Sequence, residues 1–123
     1  MNNVKILIVE DEIIIALSMK QELEKRGYLV IDISMSGDHA IEMTKKHYPH
    51  IILMDYKLQG NKDGIETAVI IHNMVQIPII FITGNSDKQT LEKIEQLPLV
   101  ELMNKPVDYN NLDITIKRSL SII

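Results

Sequence analysis

Five short runs rich in Ile and Val recur along the chain: Lys5–Val9, Tyr28–Ser34, Ile51–Met54, Ile79–Ile82 and Leu99–Met103. Each has the length of a strand rather than of a helix. The segments that follow them, Ile13–Arg26, Gly37–His47, Gly64–Met74, Asp87–Gln96 and Tyr109–Leu120, have helical length and amphipathic or polar composition. Gly27 and Pro49 punctuate the first two helical segments, and Pro78 opens the fourth run, where a missing N–H is tolerated. Strict alternation of this kind specifies an α/β architecture with a mostly parallel sheet.

The same runs argue a strand order. Ile6-Leu7-Ile8-Val9, Ile51-Ile52-Leu53-Met54 and Ile79-Ile80-Phe81-Ile82 are apolar on both faces, as interior strands covered by helices on both sides must be. Asp32 in the second run and Glu101 in the fifth mark those two as edges. With right-handed crossovers, the expected sheet is a flavodoxin-like, doubly wound arrangement of five parallel strands in the order 2-1-3-4-5, with helices on both faces. No linker, repeat or low-complexity stretch interrupts the pattern, so residues 1–123 are expected to form one domain. A chain of 123 residues is long enough to bury roughly two-thirds of its unfolded surface.

Composition narrows the chemistry. A net charge of −4 argues against nucleic acid or an anionic membrane as the primary partner. The absence of cysteine excludes disulfides, thiolate metal sites and cysteine catalysis. Phe81 and four tyrosines are too few aromatics for a base-stacking platform. The first apolar run ends at Glu10-Asp11-Glu12, too soon for an export signal, and no run approaches the ~20 residues of a membrane span. A cytoplasmic protein without a membrane segment is therefore expected.

In an open parallel sheet, ligands bind beyond the carboxyl ends of the strands where the strand order reverses. Here that point lies between the first and third strands. The first ends in Glu10-Asp11-Glu12 and the third in Asp55, while the fourth ends in Thr83-Gly84 and the fifth runs into Lys105-Pro106. Clustered carboxylates without a cation repel, and one is driven to stay protonated. Mg²⁺ resolves that conflict, because it takes oxygen ligands, favours one or two carboxylates and leaves positions for water and phosphate. A carboxylate beside it can attack a phosphoryl group and form an aspartyl-phosphate. Lys105 and Thr83 would then meet phosphoryl oxygens as a cation and a hydroxyl donor.

Val9-Glu10-Asp11, Asp55 at the end of an apolar strand, Thr83-Gly84 and Lys105-Pro106 together resemble the receiver domain of two-component response regulators, in particular the stand-alone chemotaxis-type receivers. The loop Asp55-Tyr56-Lys57-Leu58-Gln59-Gly60 through Asp63-Gly64 resembles the family's loop after the third strand. The resemblance spans essentially the whole chain and implies that Asp55 accepts a phosphoryl group from a histidine kinase or phosphotransfer protein. It also implies that Glu10, Asp11, Asp55 and the backbone carbonyl of Lys57 hold Mg²⁺, that Thr83 senses the phosphoryl group and that Lys105 pairs with it. Beyond self-phosphorylation and autodephosphorylation, no enzyme activity is expected. Because the chain stops just after its last helical segment, the output is expected to be a downstream protein partner or a domain missing from this piece. The oligomeric state is left open.

Each residue also has a plainer reading. Asp11 and Glu12 open a helical segment, where acidic side chains commonly cap, and Glu12 is assigned to capping. Taken singly, Asp55 reads as a loop-initiating aspartate, Thr83 as a strand end, Lys105 as a surface lysine and Pro106 as a break before the last helix. His39, His47, His50 and His72 lack metal-ligand spacing and are read as surface or boundary residues. Met19, Met43, Met54 and Met103 are read as core filling, Lys45-Lys46 as a solvated face and Asn61-Lys62-Asp63 as a turn tip. The resemblance implies a cis Lys105–Pro106 bond, although trans is the general expectation.

Three positions depart from the usual receiver pattern. Glu10 stands where Asp is more common, Lys57 carries a cation near the site entrance, and Leu102 replaces an aromatic that rotates on activation in many relatives. An alternative is a Mg²⁺-dependent phosphatase of the haloacid-dehalogenase type, which usually carries a second Asp two residues after its nucleophile; Lys57 stands there instead. An FMN-binding flavodoxin would need a phosphate-cradling loop where Glu10-Asp11-Glu12 would repel phosphate. A receiver that never takes a phosphoryl group is the least supported, since all the principal groups are present.

Overall fold

The computed structural model describes residues 3–84 and 87–121. Strands β1 (Lys5–Val9), β2 (Leu29–Ser34), β3 (Ile51–Met54), β4 (Ile79–Thr83) and β5 (Val100–Asn104) alternate with helices α1 (Ile13–Lys25), α2 (Gly37–His47), α3 (Gly64–Met74), α4 (Lys88–Glu95) and α5 (Tyr109–Ser119). The sheet is parallel throughout in the order β2-β1-β3-β4-β5, as expected, and β2 and β5 are its edges. The register between β1 and β2 slips between Ile6 and Leu7, which pair with Val30 and Asp32 and leave Ile31 as a bulge.

Two apolar layers sandwich the sheet because successive strand side chains point to opposite faces. Ile6, Ile8, Ile51, Leu53 and Ile80 pack with Leu23 of α1 and Leu112 and Ile116 of α5. Leu7, Val9, Ile52, Met54, Ile79 and Phe81 pack on the other side with Met43 of α2, Ile71 of α3 and Ile94 of α4. Burying each such side chain contributes roughly 1.5–3 kcal/mol. The four methionines read as core filling are all buried.

Two element ends have local causes that the sequence pattern did not give. Leu99 has φ 56°, a left-handed conformation incompatible with a strand, so β5 begins one residue later than expected. Helix α2 is closed by Tyr48 at φ 47°, whose N–H donates to the Thr44 carbonyl, before Pro49 is reached.

Candidate functional site

The ladder that aligns the strands also converges their polar ends. Val9 pairs with Met54, and the Asp55 N–H donates to the Val9 carbonyl at 2.9 Å, which sets Asp55 beside Glu10 and Asp11. Thr83 pairs with Asn104, and the Lys105 N–H donates to the Thr83 carbonyl at 3.1 Å. The Lys105–Pro106 peptide bond is cis, the isomer the family resemblance implies. A cleft at this edge is lined by Asp11, Glu12, Asp55, Lys57, Thr83, Gly84 and Lys105.

The floor of the cleft depends on close backbone packing. The Gly64 N–H donates to the Tyr56 carbonyl at 2.6 Å, and a Cβ at Gly64 would lie 2.3 Å from the Asp55 carbonyl oxygen. Only glycine lets the start of α3 approach the Asp55 backbone so closely.

Four charged side chains meet above that floor. Lys105 Nζ lies 2.9 Å from Glu10 Oε1, 3.1 Å from Asp55 Oδ2 and 3.9 Å from Glu12 Oε2. Asp55 Oδ1 accepts the Tyr56 N–H at 2.8 Å, and Glu10 Oε2 accepts the Glu12 N–H at 3.0 Å. Glu10, Asp55 and Thr83 are buried, and Asp11 is half-exposed. Burial raises the Glu10 carboxyl above its ordinary pKa, outweighing the Glu12 N–H and Lys105. Burial would lower the Lys105 ammonium, yet the Glu10 and Asp55 carboxylates overcome it and hold the group above the usual lysine value.

Glu10, Asp11 and Asp55 each offer a carboxylate oxygen, all within 4.8 Å of one another. An all-oxygen donor set on an open cleft fits Mg²⁺, which keeps several waters and avoids closed protein cages. Every residue expected at the site from the sequence is thus gathered at one edge: Glu10, Asp11, Asp55, Lys57, Thr83 and Lys105.

Other residues behave differently from their plain readings. Glu12 holds the position before α1, but its side chain makes no capping bond; Glu10 bonds the Glu12 N–H, because its longer arm folds back. Asn61-Lys62-Asp63 is more than a turn tip. Lys62 pairs with Asp38 of α2 at 2.6 Å, and Asp63 and Glu66 form a capping box on α3 whose Asp-x-x-Glu signature was legible. The four histidines stay away from the cleft, though three have partners: His39 bonds Ser34, His50 accepts from the Lys5 N–H and His72 bonds the Ile77 carbonyl.

Residues 6–117 match the response regulator receiver domain family. The chain is 29% identical over 126 residues to sporulation initiation phosphotransferase F of Bacillus subtilis, covering 99% of this chain and 98% of that protein. It is 27% identical over 117 residues to the transcriptional regulatory protein PdtaR of Mycobacterium tuberculosis, covering 95% of this chain but only 57% of PdtaR. With the transcriptional regulatory protein CrdR of Helicobacter pylori the share is similar, 54% of that protein at 30% identity, so the chain spans about half of these regulators. Among solved structures, the signal receiver domain of a modulated diguanylate cyclase from Desulfovibrio desulfuricans G20 superposes with a TM-score of 0.89 at 32% identity, covering 95% of this chain and 93% of that one. Fold, strand-end geometry and family match agree: the chain belongs to the response regulator receiver domain family of two-component phosphorelay signalling.

Proposed function

We propose that Asp55 accepts a phosphoryl group from the phosphohistidine of a histidine kinase or phosphotransfer protein, and that the resulting aspartyl-phosphate switches binding of a downstream protein or output domain. The single observation that carries this reading is the meeting of Asp55, Lys105 and the acidic pair Glu10-Asp11 in one open cleft. An Asp55 carboxylate oxygen attacks phosphorus, the phosphorus–nitrogen bond breaks, and its electron pair returns to the imidazole nitrogen. Lys105 then passes from the Asp55 carboxylate to a phosphoryl oxygen, and the Thr83 hydroxyl donates to another. Glu10, Asp11, Asp55 and the Lys57 backbone carbonyl would hold Mg²⁺, which would neutralise phosphoryl charge. Residues 1–123 act as one receiver unit in the cytoplasm, and the chemistry is this transfer followed by attack of water on the aspartyl-phosphate, which releases inorganic phosphate and restores the Asp55 carboxylate.

The approach of the donor is supported by the rim. Ile13, Ile14 and Leu17 are exposed on α1, and a mostly apolar groove bounded by Ile14, Ile15, Pro106 and Val107 shares Lys105 with the acidic cleft. A protein that inserts a phosphohistidine into the cleft covers this groove. The phosphatase alternative lacks support, because Lys57 rather than a second acid lines the cleft two residues after Asp55. Intact-mass analysis after incubation with acetyl phosphate and Mg²⁺ tests the reading: the wild type gains a phosphoryl group and Asp55→Asn gains none. Equal labelling of both proteins, or none in the wild type, contradicts it.

A further inference from the structure

We propose that Asp38 and Lys62 form an ionic latch that holds the loop between β3 and α3 across the end of β1, and that closure of this latch sets how readily Asp55 is phosphorylated. The link to phosphorylation rests on the function proposed above; the latch itself does not. The loop, residues 56–63, leaves the end of β3 and reaches the segment that follows β2, where Gln59 bridges to Ser36. Because β1 lies between those two strands, the loop must pass beyond the end of β1, where Glu10 and Asp11 stand. Two bonds fasten it on the far side. The Gln59 N–H donates to the Met35 carbonyl at 3.1 Å, and Lys62 Nζ lies 2.6 Å from Asp38 Oδ1 on α2.

The frame around the latch is closely packed. Gly37 opens α2 so near to α3 that a Cβ there would lie 2.2 Å from Thr67 Oγ1 and 3.0 Å from Lys62 Cβ. Only glycine allows that approach, and it brings Asp38 within reach of Lys62. On its near side the loop is fixed by the Gly64 N–H bond to the Tyr56 carbonyl, by Leu58 against the second apolar layer and by the Asp63–Glu66 capping box. Gly60, at φ 89°, turns the chain between the two far bonds. Lys57 lies between the near and far fastenings and lines the cleft with Asp55.

The loop is thus a strap with a packed near side and a far side held by polar contacts open to water. The Asp38 side chain is 66% exposed, so dissolved salt screens its pairing with Lys62. Exposed loops of this kind open with free energies near zero, which leaves a sizeable open fraction for the latch to control. Once Lys62 leaves Asp38, residues 59–62 pivot at Gly60, and the Lys57 backbone loses its fixed place beside Asp55. Order there must then be restored before each phosphorylation. Asp38 and Lys62 are therefore positioning residues: neither lines the cleft, and both act on it through the strap.

Amide hydrogen exchange in the folded protein reads the latch. In the wild type, exchange of the Gln59 N–H is expected to speed up as salt rises, while the Ile52 N–H, held by the Pro78 carbonyl, keeps its rate. Lys62→Met keeps the side-chain stem and removes the charge. It is expected to speed Gln59 exchange at low salt by up to about fivefold, the range an exposed ion pair supports, and to abolish the salt dependence. Asp38→Asn should lose the salt dependence too, and Lys62→Arg should keep it. Gln59 exchange that ignores salt in the wild type, or that still follows salt in Lys62→Met, overturns the latch. Labelling by acetyl phosphate and Mg²⁺ should slow in Lys62→Met by up to the same factor, because uptake follows the closed fraction and exchange the open one. It should recover in Lys62→Arg. Faster exchange with unchanged labelling overturns the link to the cleft. If the wild type takes up no phosphoryl group, the function proposed above fails and that link fails with it, while exchange still decides the latch.

Discussion

The hydroxyl of Tyr28 donates a hydrogen bond to the Asp113 carboxylate, tying the turn before β2 to the middle of α5 across 85 positions of sequence. Arg26 reinforces the tie through Asn110 at 3.0 Å, and Lys117 bonds the second Asp113 oxygen at 3.1 Å. Helix α5 is thereby pinned on the side of the sheet that carries α1.

Loss of this bond should cost stability and flatten its pH dependence. Tyr28→Phe is expected to destabilise the protein by about 1–2 kcal/mol, the value of a hydrogen bond to a charged acceptor that is partly screened. Burial would raise the Asp113 carboxyl, but the Tyr28 hydroxyl and Lys117 outweigh it and hold the group below 3.8. Its contribution is therefore present above the unfolded value and lost as pH falls through the lower folded value. Burial, then the Asp113 bond and charge, hold Tyr28 protonated above its ordinary value of 10.0, so stability also declines as pH rises past that point. Urea unfolding across both ranges should show an alkaline limb in the wild type that is absent in Tyr28→Phe, and an acid limb that shrinks in Tyr28→Phe to what Lys117 and Arg26 still support. Parallel profiles would show that the bond contributes nothing.

Gly64→Ala probes the floor of the cleft. The added methyl would meet the Asp55 carbonyl oxygen at 2.3 Å, so either α3 or the Asp55 backbone must shift. Overpacking of this kind costs about 1–3 kcal/mol. Stability is expected to fall by that amount, and the rate of phosphoryl uptake from acetyl phosphate should fall with it. A variant as stable and as fast as the wild type would show that the close approach is dispensable.

Metal removal should stop the chemistry without unfolding the chain. The core lies in two apolar layers away from the acidic cluster, so excess EDTA is expected to leave the circular dichroism spectrum intact and abolish labelling. Asp11→Ala should abolish labelling in the presence of Mg²⁺ as well. Labelling undiminished by EDTA would remove Mg²⁺ from the account.

The sequence was most legible where one periodicity serves one physical purpose. Alternation along β1 sends Ile6 and Ile8 to one layer and Leu7 and Val9 to the other, so strand identity, burial and strand order follow from a few residues. The convergence of Asp55, Thr83 and Lys105 followed because strand ends in a parallel sheet share an edge. Polar ties were less legible. Tyr28–Asp113 and Lys62–Asp38 join residues whose meeting depends on how finished helices pack, and no local pattern encodes it. The role of Glu12 was missed for a similar reason: its position marks a helix start, but the neighbouring Glu10 arm takes the N–H first.

Signal output offers a further prediction. Leu102 is paired with Phe81 in the ladder between β4 and β5 and packs at the edge of the second apolar layer, one strand position apart from Met103 and two from Asn104, the partner of Thr83. Inward movement of the Thr83 hydroxyl would change packing there by about a methyl group, a change that close-packed interiors register. Without an aromatic hydroxyl to lock a second state, the coupling through Leu102 should be loose, with ligands shifting existing populations. On beryllofluoride addition, amide shifts are expected to reach Lys88–Gln96 and Val100–Asn104 in the wild type and to stay near Asp55 in Thr83→Ala. Equal spread in both proteins would remove Thr83 from the relay.

The most direct test of the central claim is the location of the acyl phosphate itself. After phosphorylation by acetyl phosphate and Mg²⁺, borohydride reduction converts a phosphorylated aspartate to homoserine, which peptide mass mapping places in the chain. The account predicts homoserine at position 55 and nowhere else, with none formed when EDTA is present. Homoserine at position 11 or 63, or phosphoryl incorporation that leaves position 55 as aspartate after reduction, would contradict it.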